Sequence, residues 1–308
     1  MNFLRLIRYR NLLMLALMQL IFRYGFLQWY NVPLALKDWQ YVLLVLATVS
    51  IAGAGYLINN IMDRETDADN KPEKVIVGKS ISESQAYNYY FALNAFGVLA
   101  GSYLSWAIGK WSFAMIFISI VMVLYMYATS FKQNLLVGNF IVATLLSISV
   151  LIIAIFDMYP VISLANIANM RMIFEVMIHY SIFAFIVNFL REIVKDIEDV
   201  NGDYNQGMNT LPIALGVART AILVFWLSFI PIALLLYYVN AKLFAEDLFV
   251  ASGYALALIV APLVYFTIKM FSAKTQKDFR HLQGVLKLVL LFGILSLPVL
   301  TYNIYHNV

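Results

Sequence analysis

Residues 173–203 read IFEVMIHYSIFAFIVNFLREIVKDIEDVNGD, an apolar run that passes directly into a cluster of acidic residues. The apolar part has about the 20 residues that a helix needs to cross a bilayer. If the helix persists to Gly202, the side chains of Asp196, Asp199 and Asp203 fall within an arc of about 60°. The stretch therefore predicts a membrane-spanning helix with a stripe of carboxylates at one end.

A similar acidic stretch occurs earlier in the chain. Residues 56–74 read YLINNIMDRETDADNKPEK and follow another long apolar run. Asn59, Asp63 and Asp67 are spaced by four, so on a helix they lie within an arc of about 80° and form one polar stripe. The two stretches together hold ten of the 17 acidic residues of the chain. This concentration in an otherwise apolar sequence indicates a functional site.

The two acidic stretches share a D-x-x-x-D pattern at matched places. The pair Asp199 and Asp203 follows the pair Asp63 and Asp67 by 136 positions. Charged runs at helix ends are usually solvated caps, but two matched pairs favour one site shared between two similar halves. No long linker or low-complexity stretch divides the sequence, so we expect a single integral-membrane domain over residues 1–308, built from two pseudo-repeated halves.

The composition places the chain in a membrane. Hydrophobic residues make up 63% of it and charged residues 12%, and the mean hydropathy is +0.81. A backbone in lipid must satisfy its own hydrogen bonds, and continuous apolar runs favour helices over a barrel. We therefore predict an all-α, polytopic membrane protein whose nine transmembrane helices surround a central cavity, at about residues 12–32, 41–62, 86–108, 112–129, 134–157, 173–195, 212–239, 247–271 and 283–304.

Basic residues predict the orientation of these spans. With the N-terminus in the cytoplasm, the outer side holds only Lys37, Lys110, Arg171 and Lys242. The inner side then holds Arg5, Arg8, Arg10, Arg64, Lys71, Lys74, Lys79, Lys132, Arg191, Lys195, Arg219, Lys269, Lys274, Lys277 and Arg280. Both acidic stretches face the cytoplasm in this arrangement. We therefore expect a multi-pass protein of the cell membrane with its active site toward the cytoplasmic side.

Crowded carboxylates at a membrane surface need a cation nearby, because like charges repel and their desolvation is costly. The chain has no cysteine, and its three histidines, His179, His281 and His306, are distant in sequence from both acidic stretches. Oxygen ligands alone favour a hard cation, so we predict Mg²⁺, with Mn²⁺ as a substitute. Proteins commonly hold Mg²⁺ through carboxylates and substrate phosphates together, which implies a ligand with a phosphate or diphosphate group.

These motifs resemble those of a known family. NNIMDRETD at residues 59–67 resembles the first aspartate motif, N-x-x-x-D-x-x-x-D, of the UbiA-type intramembrane prenyltransferases, and KDIEDVNGD at residues 195–203 resembles their second, D-x-x-x-D. TLPIALG at residues 210–216 agrees with the same family, and the resemblance covers nearly the whole chain. Residues 74–78 depart from it, since KVIVG keeps the family's cation and glycine but loses both of its prolines.

The resemblance implies transfer of a prenyl group from a polyprenyl diphosphate to an acceptor. The bound metal would stabilise charge on the leaving diphosphate, and an apolar cavity would exclude water from the reacting carbon. The four aspartates of the two D-x-x-x-D pairs would be catalytic. The implied metal ligands are Asp63, Asp67, Asp196, Asp199 and Asp203, and Asn59 would help to bind the diphosphate.

Three isolated cations are candidate ligands for the diphosphate or for an anionic acceptor. Lys132 follows the fourth predicted span, where the family has a basic residue that can contact diphosphate, and Lys74 keeps the cation of the preceding loop. Arg23 lies inside the first predicted span, where a charge that faces lipid is costly. We therefore expect Arg23 to face the polar cavity, or to pair with an acidic residue or a carbonyl group.

Four further polar residues lie on the fifth and sixth predicted spans. Arg191 and Lys195 are one turn apart beside the second motif, and each either binds substrate or neutralises a glutamate of the same helix. Asn139 and Asn188 either reach the acceptor or hydrogen-bond across helices, which is the more common role of amides in membranes.

The sequence leaves the acceptor open between two classes. The sequence REIVKDIEDV most resembles that of the family branch that alkylates geranylgeranylglyceryl phosphate. A lipid acceptor is therefore the first expectation and an aromatic quinone precursor the alternative. A transporter would more naturally show broken helices at the midplane, and a CDP-alcohol phosphotransferase requires D-G-x-x-A-R, which neither motif has. No basic patch with interleaved aromatics predicts nucleic-acid binding. The expected partners are a polyprenyl diphosphate, its acceptor and membrane lipid.

Overall fold

The computed structural model describes residues 2–64 and 75–306, which are mainly helical. A short helix, Asn2–Leu6, precedes the bundle, and a second, Leu211–Leu215, lies in a connection. The long helices of the described residues are α1 (Tyr9–Tyr30), α2 (Asp38–Met62), α3 (Glu83–Ala107), α4 (Trp111–Thr129), α5 (Val137–Val161), α6 (Ile167–Asn205), α7 (Val217–Phe244), α8 (Phe249–Ser272) and α9 (Gln276–His306).

Eight of these helices are long and apolar enough to cross a membrane; α3 is the exception among the described residues. It has the same 25 residues as α2, but Asn88, Asn94 and several tyrosines make it more polar. The prediction of an all-α, polytopic membrane protein is confirmed. The predicted count of nine spans is not, although a helix lies near each predicted position, and the side of the N-terminus stays a prediction.

The helix α6 is much longer than a bilayer requires. Its 39 residues extend for about 58 Å at 1.5 Å per residue, whereas the hydrocarbon core of a bilayer is about 30 Å thick. The helix continues past Gly202 and ends at Asn205, as the carboxylate stripe requires. The last turns of α6 therefore hold the second aspartate motif on a regular helix beyond the apolar run.

The apolar core has two main parts, and α6 belongs to both. Ile173 in its first half packs with residues of α1, α2 and α5, and Ile193 in its second half packs with residues of α7, α8 and α9. The helix also lies alongside α5 and α9 over much of its length. The position of the second motif is therefore fixed by helices from both ends of the chain.

Glycines allow α3 to approach its neighbours closely. A β-carbon at Gly97 would lie 2.5 Å from the Ile51 side chain on α2, and one at Gly101 would lie 2.2 Å from the Phe117 ring on α4. Small residues serve this purpose in membrane helices, because lipid supplies no hydrophobic driving force between them. The contact of α2 with α3 fixes the helix that carries the first aspartate motif.

Candidate active site

The first motif lies at the carboxyl end of α2. The backbone N–H of Asp63 donates to the carbonyl oxygen of Asn59 at 2.8 Å, so the helical spacing persists to Asp63. The Asn59 side chain donates through Nδ2 to Oδ2 of Asp63, also at a short distance of 2.7 Å. The predicted site residues Asp67 and Lys74 lie outside the described residues.

Lys132 is the direct ionic partner of Asp63. It lies on a short 3-10 turn, Phe131–Gln133, between α4 and α5, and its ammonium group forms an ion pair with Oδ1 of Asp63. The two side chains are 10% and 17% exposed, so the pair is largely shielded from water. The sequence named both residues as candidates, and the structure brings them together.

The second motif lies close to Lys132 as well. Asp203 on α6 is buried and interacts electrostatically with the Lys132 ammonium, and Lys195 of the same helix is also near enough to act on it. Burial, and then the positive charge of Lys195, lower the pKa of Lys132 to about 8, while Asp203 acts in the opposite direction. A negatively charged ligand beside the two lysines would offset the cost of keeping both charged.

A glycine fixes the backbone around Lys132. A β-carbon at Gly138, in the first turn of α5, would lie 2.9 Å from the Cα atom of Lys132 and 3.3 Å from the ring of Tyr127. The contact with Lys132 involves backbone, which cannot move aside cheaply. Gly138 therefore allows α5 to pack directly against the turn that presents Lys132.

Asp196 is held by Asn139 from the neighbouring helix α5. The Nδ2 atom of Asn139 donates to Oδ2 of Asp196 at 2.7 Å. The hydrogen bond crosses from one helix to another, which is one of the two roles expected for Asn139. It joins a predicted substrate-binding residue to a predicted metal ligand.

The cations Arg191 and Lys195 share one buried glutamate. Arg191 donates to Oε1 of Glu192 at 2.8 Å, and the ammonium of Lys195 lies 3.5 Å from its Oε2. Glu192 is only 5% exposed, so water competes little with the two cations for its carboxylate oxygens. Glu198, the next glutamate along α6, accepts instead from Arg280 on α9 at 3.0 Å.

Three other residues of this region were not singled out from the sequence. Tyr127 interacts electrostatically with Lys195, Glu192 and Arg8. Arg8 lies over the ring of Tyr56, with its guanidinium carbon 5.2 Å from the ring centre. These three residues lie near a chain end or on apolar helices, where their residue types alone do not indicate a site. Their position near the site follows only from the packing of α1, α2 and α4.

Asn188 lies on α6 one turn before Arg191. Its Nδ2 atom donates to the Ala184 carbonyl oxygen at 2.8 Å on the same helix, and its Oδ1 atom is buried without a hydrogen-bond partner among the described residues. An unpaired buried acceptor is costly, so this oxygen is available to a donor such as a substrate hydroxyl.

The structure does not bring Arg23 to the aspartates of the two motifs. Arg23 forms an ion pair with the buried Asp157 at the end of α5, and it donates to the Leu36 carbonyl oxygen at 2.8 Å and to Asp38 at 3.1 Å. Asp38 begins α2 and Asp63 follows its last residue, and a helix of this length extends for about 37 Å. Pairing with an acid and a carbonyl was the alternative expected for Arg23, and the structure shows both contacts.

The donors at this end of the bundle suit a hard cation. Among the described residues, no three acidic or histidine side chains are close enough to form a ready metal-binding group, and Asp67 lies outside those residues. The Oδ1 atom of Asn59 is buried and has no hydrogen-bond partner in the described part of the chain, so a free oxygen ligand adjoins Asp63. With carboxylates and an amide oxygen as the donors, the residues fit Mg²⁺.

A cavity of about 180 Å³ opens beside these residues. Its lining includes Met62, Lys132 and Gln206, so it touches the ends of both motif-bearing helices. The backbone N–H of Asn209 donates to the Gln133 carbonyl oxygen at 2.9 Å, which ties the connection after α6 to the turn of Lys132. Asp63, the turn of Lys132, the end of α6 and the cavity therefore lie together at one end of the bundle.

The class of this all-helical membrane bundle follows from comparison with known proteins. Residues 16–297 match the model of the UbiA prenyltransferase family, and the chain belongs to that family. It is 34% identical to the digeranylgeranylglyceryl phosphate synthase of Korarchaeum cryptofilum over 206 residues, which cover 67% of this chain and 66% of that relative. The synthase of Thermococcus kodakarensis is 32% identical over 205 residues, 64% of this chain and 67% of the relative. These alignments span about two thirds of the relatives' length.

Solved structures share the fold over almost the whole chain. A UbiA homolog from Aeropyrum pernix, in its apo form, superposes with a TM-score of 0.64 at 14% identity and covers 96% of this chain and 97% of its own. A UbiA homolog from Archaeoglobus fulgidus bound to GPP and Mg²⁺ superposes with a TM-score of 0.61 at 17% identity, covering 96% and 99%. At these identities the likeness establishes the fold.

Proposed function

We propose that this protein is a magnesium-dependent prenyltransferase that moves a prenyl group from a polyprenyl diphosphate to the hydroxyl group of a glyceryl phosphate lipid. The observation that carries the proposal is the position of Lys132, which pairs with Asp63 of the first motif and interacts with Asp203 of the second. Family membership and relatives named digeranylgeranylglyceryl phosphate synthase support the same reaction class and acceptor.

The residues of the site have distinct roles in this proposal. Asp63, Asp196, Asp199 and Asp203 would hold Mg²⁺ with the Asn59 amide oxygen, and Asp67 would complete the first motif. Lys132 would bind a diphosphate oxygen once the metal ions neutralise Asp63. Arg191 and Lys195, held by Glu192, would add positive charge beside the second motif.

The chemistry needs charge stabilisation more than proton transfer. Bound Mg²⁺ would stabilise negative charge on the leaving diphosphate. The bond between the allylic carbon and the diphosphate oxygen breaks, and its electron pair leaves with the diphosphate. The acceptor hydroxyl oxygen then forms the new ether bond to that carbon and releases its proton to the departing diphosphate. Surrounding apolar helices exclude water, which would otherwise capture the carbon.

The orientation of the site follows from charge. The inner side of the predicted topology holds fifteen basic residues and the outer side four, so we place the site on the cytoplasmic face of the cell membrane. A polyprenyl diphosphate has a charged head and an apolar tail. In this orientation the head would lie at the aspartates and the tail would extend between the helices toward lipid.

Metal exchange tests the proposed reaction. Membranes that contain the protein are incubated with labelled geranylgeranyl diphosphate and, in separate reactions, a glyceryl phosphate lipid or an aromatic quinone precursor. We expect transfer to the glyceryl phosphate lipid with Mg²⁺ or Mn²⁺ and none in excess EDTA, because the proposed ligands are all oxygens. Glu246→Gln, which changes an exposed acidic residue between α7 and α8, serves as the control and should keep full activity. Full turnover in EDTA, or a product only with the aromatic acceptor, would overturn the proposal.

A further inference from the structure

Lys287 is a charged residue in the apolar helix α9 that the proposed diphosphate site does not use. It lies eleven residues after the start of the helix, which places it about 16 Å along the axis. Its ammonium donates to Oδ1 of Asn11 on α1 at 2.7 Å. Within the described residues no carboxylate forms an ion pair with Lys287, so its hydrogen-bonded partner there is a neutral amide. A partly buried lysine in a membrane protein normally marks a polar pathway or a ligand.

The contacts of α6 with α9 place Arg191 opposite Lys287. Glu198 accepts from Arg280 at 3.0 Å and from Gln283, and the hydroxyl groups of Tyr180 and Ser296 share a hydrogen bond of 2.6 Å. These contacts set the two helices side by side in opposite directions. Seven residues back along α6 from Glu198 is Arg191, and seven residues forward along α9 from Arg280 is Lys287. The charges of Arg191 and Arg10 both act on Lys287, which agrees with this register.

Neutral polar groups lie beside Lys287. The Nδ2 atom of Asn11 donates to the hydroxyl oxygen of Tyr56 at 3.3 Å, and Tyr56 lies on the helix that ends at Asp63. Positive charge from α6 and α9 thus meets polar groups of α1 and α2 in the interior of the bundle. Glu192, which pairs with Arg191 and Lys195, leaves the positive charges here in excess of the acids, and such an excess favours an anion.

On both motif helices, the residues near Lys287 lie at a similar distance from the aspartates along the helix axis. Tyr56 precedes Asp63 by seven residues on α2, and Arg191 precedes Asp199 by eight on α6, so the cluster lies about 10–12 Å deeper in the bundle than the aspartates. Long lysine and arginine side chains can bridge much of that separation. An acceptor whose reacting hydroxyl and phosphate are separated by only a few bonds would fit between the two places.

We propose that Lys287, Arg191 and Asn11 form a second anion-binding site, which takes the phosphate group of the acceptor lipid. The inference rests on the proposed function, since it assigns the phosphate monoester of that acceptor to a place distinct from the donor diphosphate. Lys287 binds the phosphate directly and Asn11 positions the ammonium. The site selects a phosphorylated glycerol lipid over an uncharged one and directs the glycerol hydroxyl toward the aspartates.

The test compares Lys287→Gln with Lys277→Gln, which removes an exposed lysine ten residues earlier on the same helix. In Lys287→Gln the KM for the phosphorylated acceptor should rise about tenfold or more, the scale of one lost charge-assisted hydrogen bond. The KM for the allylic diphosphate should stay within about twofold, and the same lipid without its phosphate should react equally in both variants. An equal rise in the KM for the diphosphate would assign Lys287 to the donor and overturn the proposal, as would an unchanged KM for the acceptor.

A binding measurement separates this site from the proposed reaction. Glycerol phosphate is titrated by calorimetry into each purified variant with Mg²⁺ and the allylic diphosphate present. Weaker binding to Lys287→Gln than to Lys277→Gln supports the site even if the wild-type protein transfers its prenyl group to another acceptor. Equal binding to both variants, or no binding to the wild-type protein, overturns it. Displacement by phosphatidylglycerol would assign the site to bulk lipid headgroups, which also contradicts the proposal.

Discussion

Single residues determine how Lys132 is presented to the aspartates. Its ammonium pairs with Asp63, and its Cα atom lies so close to Gly138 that a β-carbon there would approach it to 2.9 Å. The sequence singled out both residues of the first contact, Lys132 as a candidate diphosphate ligand and Asp63 as a candidate metal ligand, but it did not predict that they pair. The second contact could not be predicted, because a glycine in an apolar helix gives no sign of which backbone it touches.

We expect Gly138→Ala to reduce activity by about tenfold or more, since the turn of Lys132 must shift and a small misplacement of a binding group is costly. Overpacking should also lower the free energy of unfolding by about 1–3 kcal/mol. Gly284→Ala is the matched control, because a β-carbon there has open space. Initial rates and thermal melting of both variants provide the check. Wild-type activity in Gly138→Ala would show that the position of this turn is not critical.

For Arg23, the sequence predicts that the charge avoids lipid but not which residue it pairs with. Its place inside an apolar run correctly indicated that it avoids lipid, but the identity of its partner depends on how α1, α2 and α5 meet at the end of the bundle opposite Asp63. Asp157 lies 134 residues later in the chain, and no spacing rule connects the two. The assignment to substrate or to structure therefore needed the fold.

Arg23→Ala should act mainly on stability. Removing one partner of a buried ion pair costs about 3–5 kcal/mol, so we expect a clearly lower melting temperature and poor expression. Arg171→Ala, which removes an exposed arginine near the start of α6, should melt like the wild-type protein. The decisive comparison is the activity per folded molecule at low temperature. A stable Arg23→Ala protein with a raised substrate KM would instead place Arg23 in substrate binding.

Among the helices, α6 carries most of the site. Its apolar half predicted a membrane span and its acidic half predicted a stripe of carboxylates, and both lie on one continuous helix that ends at Asn205. The sequence could predict this because helical spacing and composition are local properties. The cation cluster of Arg191 and Lys287 could not be predicted in the same way, since it depends on the register between α6 and α9.

The last turns of α6 give a test at this scale. Val200→Pro removes a backbone donor between Asp199 and Asp203 and introduces a clash that breaks the helix, at a cost of about 3 kcal/mol or more. We expect loss of prenyl transfer with the apolar core of the bundle retained, whereas Val200→Ala keeps the helix and should remain active. Circular dichroism and transfer assays on both variants provide the measurement. An active Val200→Pro enzyme would mean that a continuous helix through Asp203 is unnecessary.

The molecule as a whole brings the ends of α2 and α6 to one place, although they are distant in the sequence. The matched D-x-x-x-D pairs predicted a shared site, and the ion pair of Lys132 with Asp63 and its electrostatic interaction with Asp203 support it. What the sequence could not supply was the turn that lies between them, because its position follows from packing of α4 and α5. The central claim is that both motifs bind a single diphosphate.

A double-mutant cycle on diphosphate binding tests that claim most directly. Affinity for geranylgeranyl diphosphate with saturating Mg²⁺ is measured for the wild-type protein, Asp63→Asn, Asp199→Asn and the double variant, each checked for folding by thermal melting. If the two motifs hold one diphosphate, each single variant should lose most of the affinity, and the double variant should lose clearly less than the sum of the two losses. Strictly additive losses, or one single variant that binds as tightly as the wild-type protein, would contradict a shared site.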